Sequence, residues 1–267
     1  MTDWLGEIEL GITGSPVSMG VRKLGRRPWL FIDKHTEEEL TLKAKLSKDP
    51  KSEVFLSQPG TQQASECVIS LIEQTGIELI HLKNLHPLER AGLSIQEDLC
   101  LVQRSSKGWI LEAASLSFPS LWKLSEKIGK NMAAVHGPVD DYPEFLEKKV
   151  EGFFDRLSHD PVWRRNWFIH SDDNLYQPGQ PKEDDPVITS DLIGQKLFVR
   201  SERQTLRALE IPGWILFTIR VQQTPLEDLI DSRREDFTSW IHNAPESFHR
   251  HKALRKEQVG EILKALG

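Results

Sequence analysis

The sequence predicts an α+β protein: one antiparallel sheet of about five strands with helices on one face, and helical extensions at both ends. Three observations carry this. Two apolar, β-prone segments flank a glycine-containing turn between Leu99 and Ala113. A run with helical periodicity follows, between Pro119 and Leu157. Three further β-prone segments then lie between Arg165 and Ile219. Strands grouped on either side of a helical run, without strand–helix alternation, favour antiparallel pairing over a parallel sheet.

Composition narrows the function classes. The chain has 267 residues, 38% of them hydrophobic and 28% charged, with eight Trp and eleven Phe. That is enough apolar surface to offset the entropy of ordering a globular core. The 34 basic and 40 acidic residues leave a net charge of −6. The basic surplus used to bind a phosphate backbone is missing, so nucleic acid is not an expected partner. Two cysteines, Cys67 and Cys100, are too few for a disulfide framework or an ordinary iron–sulfur cluster. No apolar stretch reaches the roughly 18 residues of a membrane span, and Met1 to Glu7 carries acid where a secretory signal carries base. The expectation is a soluble, cytoplasmic protein without a membrane partner.

Along the chain, residues 1–95 read as an N-terminal extension. Pro28-Trp29-Leu30-Phe31-Ile32 suits a short strand or docking arm. Thr36 with Glu39 forms the pattern of a capping box for a charged helix to about Lys48. Thr61 is placed to cap a second helix, with Ala64, Val68, Leu71 and Ile72 on one face and Gly76 beyond its end. Residues 96–223 read as the core. Its first two strands join across Ser105-Ser106-Lys107-Gly108. A helix is then expected from Pro119 to His136-Gly137-Pro138, with Leu121, Leu124, Ile128, Met132 and Val135 on one stripe. Another is expected from Pro143, burying Phe145, Leu146, Val150, Phe153, Phe154 and Leu157. Arg165 to Ile169 reads as a strand and Ser171 to Asp191 as a long exposed loop. Strands Lys196 to Glu202 and Trp214 to Ile219 join across Pro212-Gly213. Residues 224–267 read as helices packed on the core, opened by Thr224, Pro225 and Glu227 as a capping box. Two strands, helices, then three strands is the order of PAS domains, which hold ligands between helices and sheet.

Common catalytic signatures are missing: there is no Walker loop, Gly-x-Gly-x-x-Gly, His-Glu-x-x-His, Gly-x-Ser-x-Gly or Cys-x-x-Cys-His. His249-x-His251 reads as a solvated helix face, since positions two apart on a helix diverge. His136 ends an apolar helix before a Gly-Pro turn, where an imidazole either projects into a cavity as an iron ligand or sits against the helix dipole. His159 and His170 compete as ligands. Alternation places Arg200 and Glu202 on one face of their strand and Arg203 on the other. These charges form either a cross-strand ion pair or an anion or amine contact lining a pocket.

A series of blocks resembles one family, the haem-dependent oxidative N-demethylase alpha subunits. The blocks are Phe118-Pro119-Ser120-Leu121-Trp122, Glu126-Lys127-Ile128-Gly129, Val135-His136-Gly137-Pro138-Val139, Arg165-Asn166-Trp167 and Glu202-Arg203-Gln204-Thr205-Leu206. They are preceded by Met19-Gly20-Val21, Trp29-Leu30 and Glu97-Asp98. Asp140 stands where the family pattern has a second proline, which loosens the turn after His136. The resemblance implies a non-covalent haem b in a PAS-like cavity and oxygen-dependent demethylation of a small secondary amine such as dimethylamine, giving formaldehyde by way of a hemiaminal. It implies electrons from partner subunits carrying flavin, an iron–sulfur cluster and a folate site. Under it His136 is the axial ligand, Lys127 and Arg200 contact the cofactor, and Glu202 and Arg203 form the catalytic block, of which one member lines the pocket: either Glu202 is the amine contact with Arg203 a structural partner, or, with the opposite facing, Arg203 is a haem or oxygen contact. A haem-binding sensor without turnover, or a haem-free binding subunit, shares the same fold expectation.

Overall fold

The computed structural model describes residues 4–11, 20–82, 84–136, 144–180, 182 and 184–267; of residues 133, 136 and 144–148 only the backbone is described. Five strands stand where the sequence places them: β3 (Asp98–Ser105), β4 (Gly108–Ser115), β5 (Val162–His170), β6 (Phe198–Ala208) and β7 (Trp214–Pro225). Two short strands from the N-terminal segment, β1 (Arg22–Lys23) and β2 (Phe55–Ser57), extend the sheet to seven in the order β1-β5-β6-β7-β3-β4-β2. Every pairing is antiparallel. At the β6–β7 turn Gly213 has φ +78°, a value that favours glycine.

Helices cover both faces, which corrects the one-sided expectation. The reason is visible in Leu99-Cys100-Leu101-Val102, where consecutive residues are all buried. A strand covered on both sides carries apolar residues in a run, whereas one with a wet face alternates. On the front face, α2 (Gln62–Glu73) and α3 (Pro87–Gly92) pack Val68, Ile72 and Leu88 against Leu99, Leu101 and Leu216. Toward the other end of that face, α7 (Leu226–Asn243) and α9 (Lys256–Leu266) pack Leu229, Phe237, Trp240 and Ile262 against Trp167 and Val199. On the rear face, α4 (Met132–His136) and α5 (Glu144–Phe154) bring Met132 and Phe154 to Cys100, Val102, Leu206 and Ile219.

Between the two front cores runs a row of cations in register, Arg165 beside Arg203 and Arg203 beside Arg220. Three adjacent guanidinium groups need acceptors, and the N-terminal segment supplies them. Arg165 donates to Glu7 at 2.7 Å, and Arg220 donates to Asp33 and Glu39 at 2.9 and 2.8 Å. Arg203 donates to the carbonyls of Pro28 and Trp29 and lies 4.6 Å from the Phe31 ring. Pro28 to Ile32 is therefore an arm docked on Arg203, outside any strand.

The expected helix from Pro119 to His136 does not form as one piece. Leu121 and Gly129 adopt φ of +67° and +74°, so the segment breaks into a 3-10 turn at Leu124–Glu126 and the short α4. The capping boxes also fail. The Thr36 hydroxyl, at the head of α1 (Thr36–Leu46), donates to the Asp33 carbonyl, and the Thr61 hydroxyl donates to the Gln58 carbonyl. The Thr224 hydroxyl bonds the Asp228 carboxylate, so none of the three caps a backbone N–H. Among the described residues no helix is long and apolar enough to cross a membrane.

Glu97 precedes β3, next to Asp98, which pairs with Ile219. Its Oε1 accepts from the Phe31 N–H at 2.9 Å, while Oε2 is buried without a hydrogen-bond partner. Burial pushes its carboxyl up to about 7, against the opposing field of Arg220. An acid raised in the fold favours its neutral form there. Its stability contribution is thus complete below the unfolded value near 4.5 and is lost as pH climbs through about 7. That range corresponds to about 3 kcal/mol. Urea unfolding at pH 5 and pH 8 should show the wild type losing more stability than Glu97→Gln, by an amount of this order. Equal losses in the two proteins would contradict the assignment.

Candidate functional site

The rear surface of β5 and β6 holds the candidate site. Val162 pairs with Leu206, and both pack in the cluster that includes residues of α4 and α5, which fixes this face. Alternation then presents Arg164, Asn166, Phe168 and His170 from β5, with Arg200, Glu202 and Gln204 from β6. The register sets Asn166 beside Glu202 and Arg164 beside Gln204. Glu202 is buried, and one oxygen accepts from the Gln204 amide at 2.8 Å. Cys100 is buried on this face too, and burial, with Asp98 and Glu202, pushes its thiol up, which leaves it unreactive.

Three cations sense the Glu202 carboxylate: Arg164, Arg200 and Lys252. Arg200 is fully buried and entirely committed to protein acceptors. Its Nε donates to Ser120 Oγ at 2.9 Å, and its two terminal nitrogens reach the carbonyls of Phe118, Pro119, Asn174 and Leu175 and the Gln223 side chain. The guanidinium therefore clamps the Phe118-Pro119-Ser120 block and the 174–175 loop to β6, and no N–H remains for a cofactor. Arg164 is the opposite case. Its Nε is sealed from solvent with no acceptor, and burial draws its pKa down against the fields of Glu202 and Glu9.

Lys252 follows α8 (Glu246–His251) and lies along β5, where its carbonyl accepts from the Ile169 N–H at 3.0 Å. Its ammonium donates to Asn166 Oδ1 at 3.1 Å and stands 4.8 Å from the Trp167 ring. Burial, then Arg164, pushes it down to about 7. The preceding His251 is pushed down to about 4 by burial, then by Lys252 and Arg164, and is neutral at pH 7. His249 packs edge-on to Trp240 and is buried, so the solvated reading of His249-x-His251 is corrected for this residue.

Arg203 lies on the front face, away from Glu202, held by the arm described above. Lys127 is buried and donates to the Val135 carbonyl at 2.6 Å, pinning the last turn of α4 immediately before His136. The side chain of His136 and the turn through Asp140 lie outside the described residues. His170 bonds through Nδ1 to Gln177 Oε1; its Nε2 is buried without a partner, and burial pushes it down to about 4. His159 is exposed, 3.2 Å from the Ala208 carbonyl.

Sequence reasoning placed Arg200 and Glu202 together but passed over Arg164, Asn166 and Lys252. Counting alternate residues along β5 from Val162 brings Arg164 and Asn166 to the Glu202 face. Nothing local marks Lys252, which reaches β5 through the docking of the C-terminal helices. Two surface clefts, of about 150 Å³ beside Tyr176 and Trp122 and about 160 Å³ beside His170 and Arg255, fall below the roughly 300 Å³ of a typical ligand pocket. Among the described residues no group of three His, Cys, Asp or Glu side chains converges on a metal position.

Compared with known proteins, residues 66–263 match the family model described as haem-dependent oxidative N-demethylase, alpha subunit-like. No curated protein matches the chain.

Proposed function

Since the chain belongs to the haem-dependent oxidative N-demethylase alpha-subunit-like family, we propose that it is the haem-carrying subunit of a multi-subunit system. In this reading it demethylates a small secondary amine such as dimethylamine, using oxygen and electrons from reductase partners. The observation that carries the reading is the rear face of β5 and β6. There a buried carboxylate, Glu202, and an unpartnered guanidinium, Arg164, adjoin the apolar layer formed with α4 and α5. An apolar wall with a few convergent polar groups is the composition of a ligand site. The insertion of α4 and α5 between β4 and β5 supports a PAS-like core for residues 96–223.

In this reading a haem b would be held non-covalently. Met132, Val135, Phe153, Ile219 and Val221 would supply apolar contact, and His136, which follows the helix end pinned by Lys127, would supply the iron donor. Haem, when bound, supplies oxygen activation. The chain's own contribution is binding and orientation. A protonated secondary amine carries two N–H donors, and Glu202 accepts one of them with the oxygen not anchored by Gln204. Gln204 fixes the carboxylate's direction, while the apolar layer keeps water out and strengthens the ion pair.

The test is optical. Protein reconstituted with haemin should show a Soret band, and dimethylamine should shift it. Glu202→Gln should keep the band but weaken the amine response on the order of ten- to a hundred-fold, the worth of a hydrogen bond to a charged group. His136→Ala should change the coordination spectrum; an unchanged spectrum would move the ligand to His170 or His159. Haem uptake without amine-dependent oxygen consumption would favour a sensor. A colourless protein would refute the haem reading.

A further inference from the structure

We propose that Arg164, assisted by Lys252, is a carboxylate-binding site on the rear face of β5, and that the carboxylates it takes are the propionates of haem. The inference rests on the reading above but concerns residues outside the family blocks that suggested it. Its starting point is an imbalance. Arg200, Arg203, Arg165 and Arg220 all have partners: Arg200 has Ser120, Gln223 and carbonyls, Arg203 has carbonyls and rings, and Arg165 and Arg220 have carboxylates, although the Arg220 Nε is itself unbonded. Arg164 has a buried Nε and no hydrogen bond or ion pair among the described residues; Arg207 shares that state but lies on the front face, beside Leu216. A guanidinium offers five N–H donors in a fork that matches a carboxylate, and leaving the buried Nε–H unmade is costly.

The second observation is independent of the first. Lys252 brings another desolvated cation to the same stretch of β5, held by Asn166 Oδ1, the residue two places along from Arg164 on the same face. The acids whose fields reach this pair are Glu202 and Glu9; His251 beside them is neutral at pH 7. Neither Glu202 nor Glu9 is within ion-pairing distance of Arg164 or Lys252, so the positive charge is only partly answered. An uncompensated surplus here would also repel an ammonium from Glu202. An added dianion removes that repulsion, which links the two ligands: the propionates neutralise Arg164 and Lys252, and Glu202 is then free to hold the amine.

Haemin and haemin dimethyl ester differ in these carboxylates alone, so their affinities isolate the site. By Soret titration the wild type should bind haemin at least ten-fold more tightly than the ester. Arg164→Met should lower haemin affinity on the order of ten- to a hundred-fold, Lys252→Met by less, and neither should change affinity for the ester. Because Arg164 has no protein partner, the haem-free Arg164→Met protein should melt no lower than the wild type. Equal affinity of the wild type for both porphyrins would overturn the site while leaving the haem reading intact. So would an Arg164→Met protein with unchanged preference, or one whose haem-free form is destabilised. Binding of neither porphyrin would overturn both.

Discussion

Arg200→Ala will cost about 3–5 kcal/mol, the scale on which a buried charge network fails when one member is removed. Six acceptors lose their donors together: Ser120 Oγ, the Gln223 amide oxygen, and the carbonyls of Phe118, Pro119, Asn174 and Leu175. Ser120 Oγ and the carbonyls of Phe118 and Pro119 sit where water has little access, and the side chain that all six surround is fully buried. Chemical denaturation measures the loss directly. Arg200→Lys should recover less than half of it, since an ammonium has three donors at one point and cannot span acceptors on two separate loops. A loss below about 1 kcal/mol, typical of a single neutral hydrogen bond, would show that the clamp is redundant.

Asp98→Ala should be of similar size, about 3–5 kcal/mol, for a different reason. Asp98 and Lys43 are both completely buried and lie 3.0 Å apart. The carboxylate also accepts from the Ser117 and Phe118 N–H groups at 3.0 and 2.7 Å, and the ammonium donates to the Glu97 carbonyl at 2.7 Å. Removing the acid strands the ammonium in the core and frees two backbone donors. The double variant Lys43→Met with Asp98→Ala should be less destabilised than the sum of the two single variants, because it leaves no lone charge. Additive losses would show that the two charges do not interact.

Much of this fold was legible where local pattern and tertiary demand agree. The hairpin at Ser105 to Gly108 and the strands around Trp167, Phe198 and Leu216 follow from turn chemistry and β-prone runs, and all stand as expected. The unbroken apolar run Leu99 to Val102 already carried the two-sided burial of β3. The helix from Pro119 was misread because its stripe satisfied a period of 3.6. What broke it was tertiary: Arg200 grips Phe118 and Pro119, and the Leu121 N–H bonds the Gln177 carbonyl at 2.8 Å. The capping threonines fail similarly, each finding a nearer acceptor in its own turn or a side chain. In the candidate site, the shared face of Arg200 and Glu202 was readable from alternation, whereas the isolation of Arg164 and the approach of Lys252 depend on which elements dock nearby.

The outermost strands have a consequence for how the chain is made. Arg22–Lys23 pairs with Val162–Trp163, and Phe55–Ser57 pairs with Ala113–Ser115, so each short edge leaves the ribosome well before the strand it borders. Until β6 is synthesised, the arm through Pro28 and Trp29 lacks the Arg203 guanidinium on which it docks. A nascent chain stalled after β4 would carry the three strands β3-β4-β2 with the other edge of β3 still lacking β7, an open template for association with other chains. The closing event is the late β6–β7 hairpin, which meets β3 on one side and β5 on the other. Such distant pairing slows folding, and it makes the newly made polypeptide most dependent on chaperones in the interval before that hairpin emerges.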